Sequence, residues 1–175
     1  MRQTDRLLLR DWNPDTDAEA AFAIYGDPEV MRYVGDGSYA ESVESMRDRL
    51  RKRAAQINEL NDRSVFWAIV ERQTELPVGT VIVKRLPDAT GQPTADWEVG
   101  WHLRKSAWGN GYATEAGKTA IAYGFEILKL PVIYAVAYPE NLASIRVMQR
   151  LGMTPLGRTD RYYGIEGVLF ERQND

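Results

Sequence analysis

Apolar and polar residues recur along this chain at two spacings, and the switches between them divide it into short elements. Leu7-Leu8-Leu9, flanked by Arg6 and Arg10, reads as a first strand. From Pro14 to Tyr25 the residues Ala18, Ala21, Phe22 and Tyr25 fall at helix spacing. Asp27-Pro28 predicts a second, short helix: Asp27 caps it, proline opens it, and Val30, Met31 and Val34 form its apolar side. Gly35-Asp36-Gly37 breaks that helix. Residues from about Ala40 to Leu60 predict a highly charged helix with a thin apolar stripe of Val43, Met46, Leu50, Ala54 and Ile57. Its run Arg47, Arg49, Arg51, Lys52 and Arg53 reads as a solvated face in preference to a binding patch.

Val65 to Glu71 and Pro77 to Arg85 predict two strands joined by a turn. Pro87 to Pro93 reads as a loop, and Trp97 to Leu103 as the next strand. Ala113, Gly117, Ala120, Ile121, Gly124 and Leu128 then mark the apolar face of a long helix, with Glu115, Lys118 and Lys129 off it. Val132 to Ala137 is a continuous apolar run, as expected of a strand buried on both faces. Asn141 to Leu151 predicts a helix whose inner face is Leu142, Ile145, Met148 and Leu151, with Gly152 as its C-terminal cap. Met153 to Phe170 reads as two last strands around Tyr162-Tyr163-Gly164. The order predicts an α+β fold, mostly antiparallel, with one strand–helix–strand crossover at 97–137. No repeat, low-complexity tract or composition break intervenes, so residues 1–175 read as a single domain.

Composition removes several classes of chemistry. With 44% apolar and 27% charged residues the chain is not a mainly disordered one. A net charge of −3 argues against nucleic acid as the main partner. No apolar run approaches the ~20 residues of a membrane helix, and no secretory signal is visible at the N-terminus. With no cysteine, disulfides, thiolate zinc sites and a cysteine nucleophile are excluded. A single histidine, His102, argues against a histidine metal site, so a cytoplasmic protein without a metal is the plain expectation.

The strongest local signal is Trp108-Gly109-Asn110-Gly111-Tyr112-Ala113, set between a strand and a long helix. Such a turn aims unpaired helix N–H groups at a phosphate, and glycines let a ligand approach the main chain. The turn lacks the Lys-Ser/Thr ending of a P-loop and the longer glycine fingerprint of a dinucleotide fold, which lowers both nucleotide readings.

At this point the sequence resembles the GNAT superfamily of N-acetyltransferases, in the branch that contains the ribosomal-protein N-terminal acetyltransferases. Three stretches carry the resemblance. Trp108, Gly111 and Ala113 occupy the places of the family's cofactor motif, with Trp108 where arginine or glutamine is usual, a replacement familiar in this branch. Asn141, Ser144, Leu151, Gly152 and Met153 form the downstream signature. Arg6 to Arg10, followed by Asp27-Pro28-Glu29-Val30-Met31, forms the N-terminal one. The resemblance implies the GNAT fold: a mixed, mostly antiparallel central sheet of about seven strands with flanking helices and a splayed parallel pair, 97–103 and 132–137. It implies acetyl-CoA as co-substrate in that gap. Main-chain groups of the segment Trp101, His102 and Leu103 would pair with the pantetheine arm, and Asn141 would bond it. The segment Trp108, Gly109, Asn110, Gly111, Tyr112, Ala113 and Thr114 would hold the pyrophosphate.

For catalysis, Glu98 is the leading general base. Strand alternation puts it with Gly100 and His102 on one face, and a mid-strand carboxylate is costly unless paired or solvated. It either faces the acceptor cleft and takes a proton through a water, or forms a buried ion pair with an arginine such as Arg104. His102 is a second candidate for base, or a packed histidine. Many enzymes of the family protonate the departing thiolate with a tyrosine seven residues after the asparagine; Met148 stands there and reads as core. The branch resemblance offers Ser144 as the acid, against a simple capping hydroxyl. Tyr33, Trp67, Tyr162 and Tyr163 read as core or rim more than as acceptor-site walls. The implied activity is transfer of an acetyl group to a primary amine, of a peptide N-terminus or a small molecule, by direct attack in a ternary complex. The negative net charge mildly suits a cationic acceptor. A non-catalytic CoA-binding sensor or partner-binding module, and a nucleotide-binding regulator, are the rivals. Homodimers are common in the family.

Overall fold

The computed structural model describes residues 1–174, and its centre is one eight-stranded sheet. The strands are β1 (Arg2–Gln3), β2 (Leu7–Asp11), β3 (Val65–Glu71), β4 (Pro77–Pro87), β5 (Pro93–Leu103), β6 (Val132–Ala137), β7 (Thr154–Thr159) and β8 (Gly167–Gln173). Their spatial order is β1-β2-β3-β4-β5-β6-β8-β7, with β5–β6 the one parallel pair. The α-helices are α1 (Pro14–Tyr25), α2 (Pro28–Met31), α3 (Val43–Leu60), α4 (Tyr112–Glu126) and α5 (Leu142–Arg150).

Strand alternation sorts the core into two layers. Trp67 and Ile69 of β3 join Val81, Val83 and Val99 against Ala116 and Ala120 of α4 and Met148 and Leu151 of the α5 region. Ala68 and Val70, between them in sequence, pack on the opposite face with Trp12, Ile24, Tyr25, Met46 and Leu50. Gly117 lets α5 come close: a Cβ there would lie 2.9 Å from Leu151 Cδ1. Gly152 takes φ +70° just past α5, the left-handed residue that ends a helix.

Several expectations are corrected. The strand Arg2–Gln3 adds an eighth member to the sheet that the apolar pattern did not contain. The charged helix begins at Val43, not near Ala40. The Ala40 N–H bonds Tyr25 O at 2.7 Å, and Ser42 and Ser45 close a reciprocal capping box. The hairpin between β4 and β5 extends to Pro87 and Pro93, because Asp88 Oδ1 accepts from the Thr90 and Gln92 N–H groups and tightens its turn. β6 is not buried on both faces: Ile133, Ala135 and Ala137 are buried, while the residues between them are half-buried. Leu142 is 58% exposed and does not join the inner face of α5. No helix among the described residues is long and apolar enough to cross a membrane.

Candidate active site

The two neighbours of β5 treat it differently. β4 pairs with it in antiparallel register from Gly79↔Leu103 to Pro87↔Pro93. β6 meets it at one register pair, Glu98↔Tyr134. The Arg104 N–H bonds Val78 O, so even-numbered positions here turn their main chain to β4. A Cβ on Gly79 would come within 2.5 Å of His102 O, which puts the His102 main chain on that side too. Trp101 and Leu103 therefore face the gap where β6 has diverged.

The Leu103 carbonyl accepts a 2.9 Å bond from Trp108 Nε1, which pins the following turn to the strand end. After the 3-10 turn Lys105–Ala107, Gly109 and Gly111 both take φ +79°, a region where a side chain costs about 1–2 kcal/mol. Space in front of them is open: a Cβ on Gly109 would meet nothing within 4 Å. α4 starts from Gly111 with no side-chain cap. Every other α-helix among the described residues has one: Asn13, Asp27, Ser42 and Asn141. In the first turn of α4, Thr114 Oγ1 is buried without a partner. Free N–H groups, the helix dipole and an unspent hydroxyl suit an anionic group there.

The carboxylate of Glu115, in the same turn, would repel that anion if left bare. Thr4 Oγ1 donates to it at 2.6 Å, the Arg6 N–H at 3.0 Å and Arg6 Nε at 2.8 Å. Burial raises the pKa of Glu115, but the bonds from Thr4 and Arg6 outweigh it and hold the group below its ordinary value. Arg6 Nη1 also donates to Asn110 O at 2.9 Å, so one guanidinium neutralises the acid and braces the turn. Arg6, Lys118 and Arg150 line the groove beside this turn.

At the start of α5, Asn141 Oδ1 accepts from the Ser144 N–H at 3.2 Å. The cap leaves the Asn141 amide N–H groups unspent. Ser144 is half-buried, one turn in, and Met148 is sealed in the core.

On the opposite side of β5, Glu98 is 4% exposed. The buried ion pair forms with Lys84, at 2.8 Å, and not with Arg104. Tyr163 donates a hydrogen bond to the same carboxylate oxygen, Oε1, and Lys84 Nζ lies 2.9 Å from the Tyr163 hydroxyl. Burial, then the charge and hydrogen bond of Glu98, push the Tyr163 phenol far above its ordinary pKa. His102 Nδ1 lies 3.2 Å from Tyr25 Oη, which also bonds Thr80. Burial, with the nearby charges of Lys84 and Arg53, lowers His102 to about 4, so it is neutral at physiological pH and a weak base. Tyr162 and Trp67 are core residues, Tyr162 donating to Asp96 at 2.6 Å. Tyr33 packs at a tilt against Tyr138, just beyond β6, with ring centres 5.8 Å apart.

Sequence reading missed Lys84 and Tyr163 as partners of Glu98. The first needs the β4–β5 register (Lys84↔Glu98), the second the return of the 160–166 loop over the sheet. Arg53 is exposed, as its place in the solvated run implies, and it shares a helix face with Met46, Leu50 and Ile57 at steps of four, three and four.

Comparison with known proteins fits this architecture. Residues 6–154 match the acetyltransferase (GNAT) domain family. An uncharacterized N-acetyltransferase of Bacillus subtilis (strain 168), YoaA, is 33% identical over 97% of this chain and 91% of its own length. An acetyltransferase (GNAT family) from Bacillus anthracis superposes with a TM-score of 0.78 at 23% identity, over 98% of this chain and 96% of that one. A ribosomal-protein-S5-alanine acetyltransferase from Vibrio fischeri does so with 0.74 at 18%, over 99% and 96%. The chain belongs to the GNAT acetyltransferase family.

Proposed function

We propose that this acetyltransferase binds acetyl-CoA in the β5–β6 gap and transfers the acetyl group to a primary amine by direct attack in a ternary complex. GNAT acetyltransferases use acetyl-CoA as co-substrate, and the bound thioester supplies the activated acetyl carbon. The observation that carries the reading is the α4 start, which among the described residues is the one α-helix opening without a side-chain cap. The N–H groups from Gly109 to Thr114 hold the pyrophosphate, helped by Thr114 Oγ1. Main-chain groups of Trp101 and Leu103 and the Asn141 amide orient the pantetheine arm.

Glu98 is the base. Both of its bonds fall on Oε1, which leaves Oε2 for a water or the incoming ammonium. Lys84 and Tyr163 hold the carboxylate in place, and Ser144 donates to the departing thiolate. Positioning carries more of the barrier than either proton transfer, about 7–11 kcal/mol in favourable cases. Glu98→Gln is therefore expected to lower kcat by roughly a hundredfold or more while leaving acetyl-CoA affinity intact. The S5-alanine enzyme named above is a fold neighbour whose name indicates a protein acceptor, which keeps a peptide N-terminus beside small amines as acceptor.

The test is calorimetry with acetyl-CoA, followed by thiol release across peptides, polyamines and amino acids. Acetyl-CoA binding with thiol release dependent on an amine supports the reading. Absence of binding at millimolar acetyl-CoA, or binding with no amine accepted, overturns it.

A further inference from the structure

Beside the acceptor face of β5 lies a pocket of about 360 Å³, between the C-terminal half of α3 and the β3–β4 strands. Ile57 and Phe66 give it an apolar wall, Lys84 stands between it and Glu98, and Arg53 and Ser64 supply polar atoms. Two of these polar groups are unspent. Ser64 is 6% exposed, and its Oγ is buried with no partner. Arg53 has no carboxylate partner among the described residues, although its neighbours on α3 do: Arg47 pairs with Glu44 and Arg51 with Asp15. The exposed Glu59 lines the rim without reaching Arg53.

Arg53 is an exposed residue at the mouth of this pocket. Its guanidinium lies 5.4 Å from the Phe66 ring centre, and its charge is felt at Tyr25, His102 and Tyr163. Lys84 is already neutralised by Glu98, so Arg53 is the cation left to recruit an anion. A buried hydroxyl with no partner and an unpaired guanidinium over an aromatic wall describe a ligand with an apolar body and an acidic end.

Resting on the transferase reading above, we propose that the acceptor is an apolar α-amino acid. Its carboxylate sits on Arg53, its side chain lies against Ile57 and Phe66, and its amine points toward Glu98. The whole-chain charge, which suits a cationic acceptor, is overridden here by the local field of Arg53.

The experiment compares phenylalanine, phenylalanine amide and spermidine as acceptors in thiol release, for the wild type and Arg53→Gln. Phenylalanine is expected to exceed its amide in kcat/KM by roughly ten- to a hundredfold, and the variant to erase that preference with unchanged acetyl-CoA affinity. Calorimetry with N-acetylphenylalanine alone gives a readout independent of turnover, and Arg53→Gln should weaken it by the same factor. Ile57→Trp, which fills the pocket, should weaken it too. Turnover of spermidine or the amide in preference to phenylalanine, or indifference of that preference to Arg53→Gln, overturns the proposal and leaves amine acetylation standing. A wild type that binds acetyl-CoA and accepts none of the three overturns this proposal, and amine acetylation falls with it only if the peptides are refused as well.

Discussion

The starts of α3 and α4 are opposite solutions to one problem. Each helix leaves its first N–H groups without intrahelical partners. At α3, Ser42 and Ser45 satisfy two of these N–H groups reciprocally and so close the end. At α4 the chain places Gly111 in the left-handed region, gives no cap, and braces the turn from behind with Arg6 and Trp108. A helix end that the protein declines to satisfy, while holding it rigidly, is set aside for something else to satisfy. The β5 edges repeat the lesson, with a long register to β4 and a single pair to β6.

The largest expected effect comes from blocking the open end. Gly111→Trp should abolish acetyl-CoA binding by calorimetry while the far-ultraviolet circular dichroism stays native. Wild-type affinity in that variant would remove α4 from the site. Next is the brace. Arg6→Ala removes the guanidinium from Glu115, leaving it only the Thr4 hydroxyl and the main-chain N–H, and should weaken acetyl-CoA roughly tenfold, given the strength of hydrogen bonds to charged groups. Adding Glu115→Gln should restore part of the loss; a double variant no better than Arg6→Ala would mean the brace acts by geometry alone. The closed end should behave in reverse. Ser42→Ala is expected to cost about 0.5–2 kcal/mol in denaturant unfolding with no change in acetyl-CoA affinity.

The smallest effect lies on the α3 side of the sheet. His102 falls from an ordinary 6.5 to about 4 in the folded chain. As pH drops, the unfolded chain takes that proton first, so the native state's advantage is whole above about 6.5 and is lost toward pH 4. Thermal melts of His102→Gln should show a flatter pH dependence across that window than the wild type.

Periodicity made the scaffold legible because packing on one sheet face leaves a mark at every second or fourth residue. The bounds of α1, β3 and β6 could be read from it directly. The α3 start could not, since Ala40 is buried by a backbone bond to Tyr25, distant in the pattern. The glycine turn was legible for the same reason it is useful: only an unusual backbone asks for Gly-Asn-Gly between a strand and a helix. The surroundings of Glu98 were not, because its partners come from a neighbouring strand and from a loop some 65 residues away in the chain. Arg53 was legible as a solvated cation and is exposed, but that it also borders a pocket beside Phe66 depends on where α3 packs on the sheet.

Thr4 and Arg6 reach across to α4 from the lead-in to β2, so residues 4–6 brace the proposed binding mouth. Trimming ahead of Leu7, or a protease nick after Arg6, would loosen that mouth while sparing the hydrophobic core. A purification tag fused directly upstream of Thr4 would load the same hinge, and an enzyme prepared that way would report a weaker grip on its co-substrate than the chain itself has.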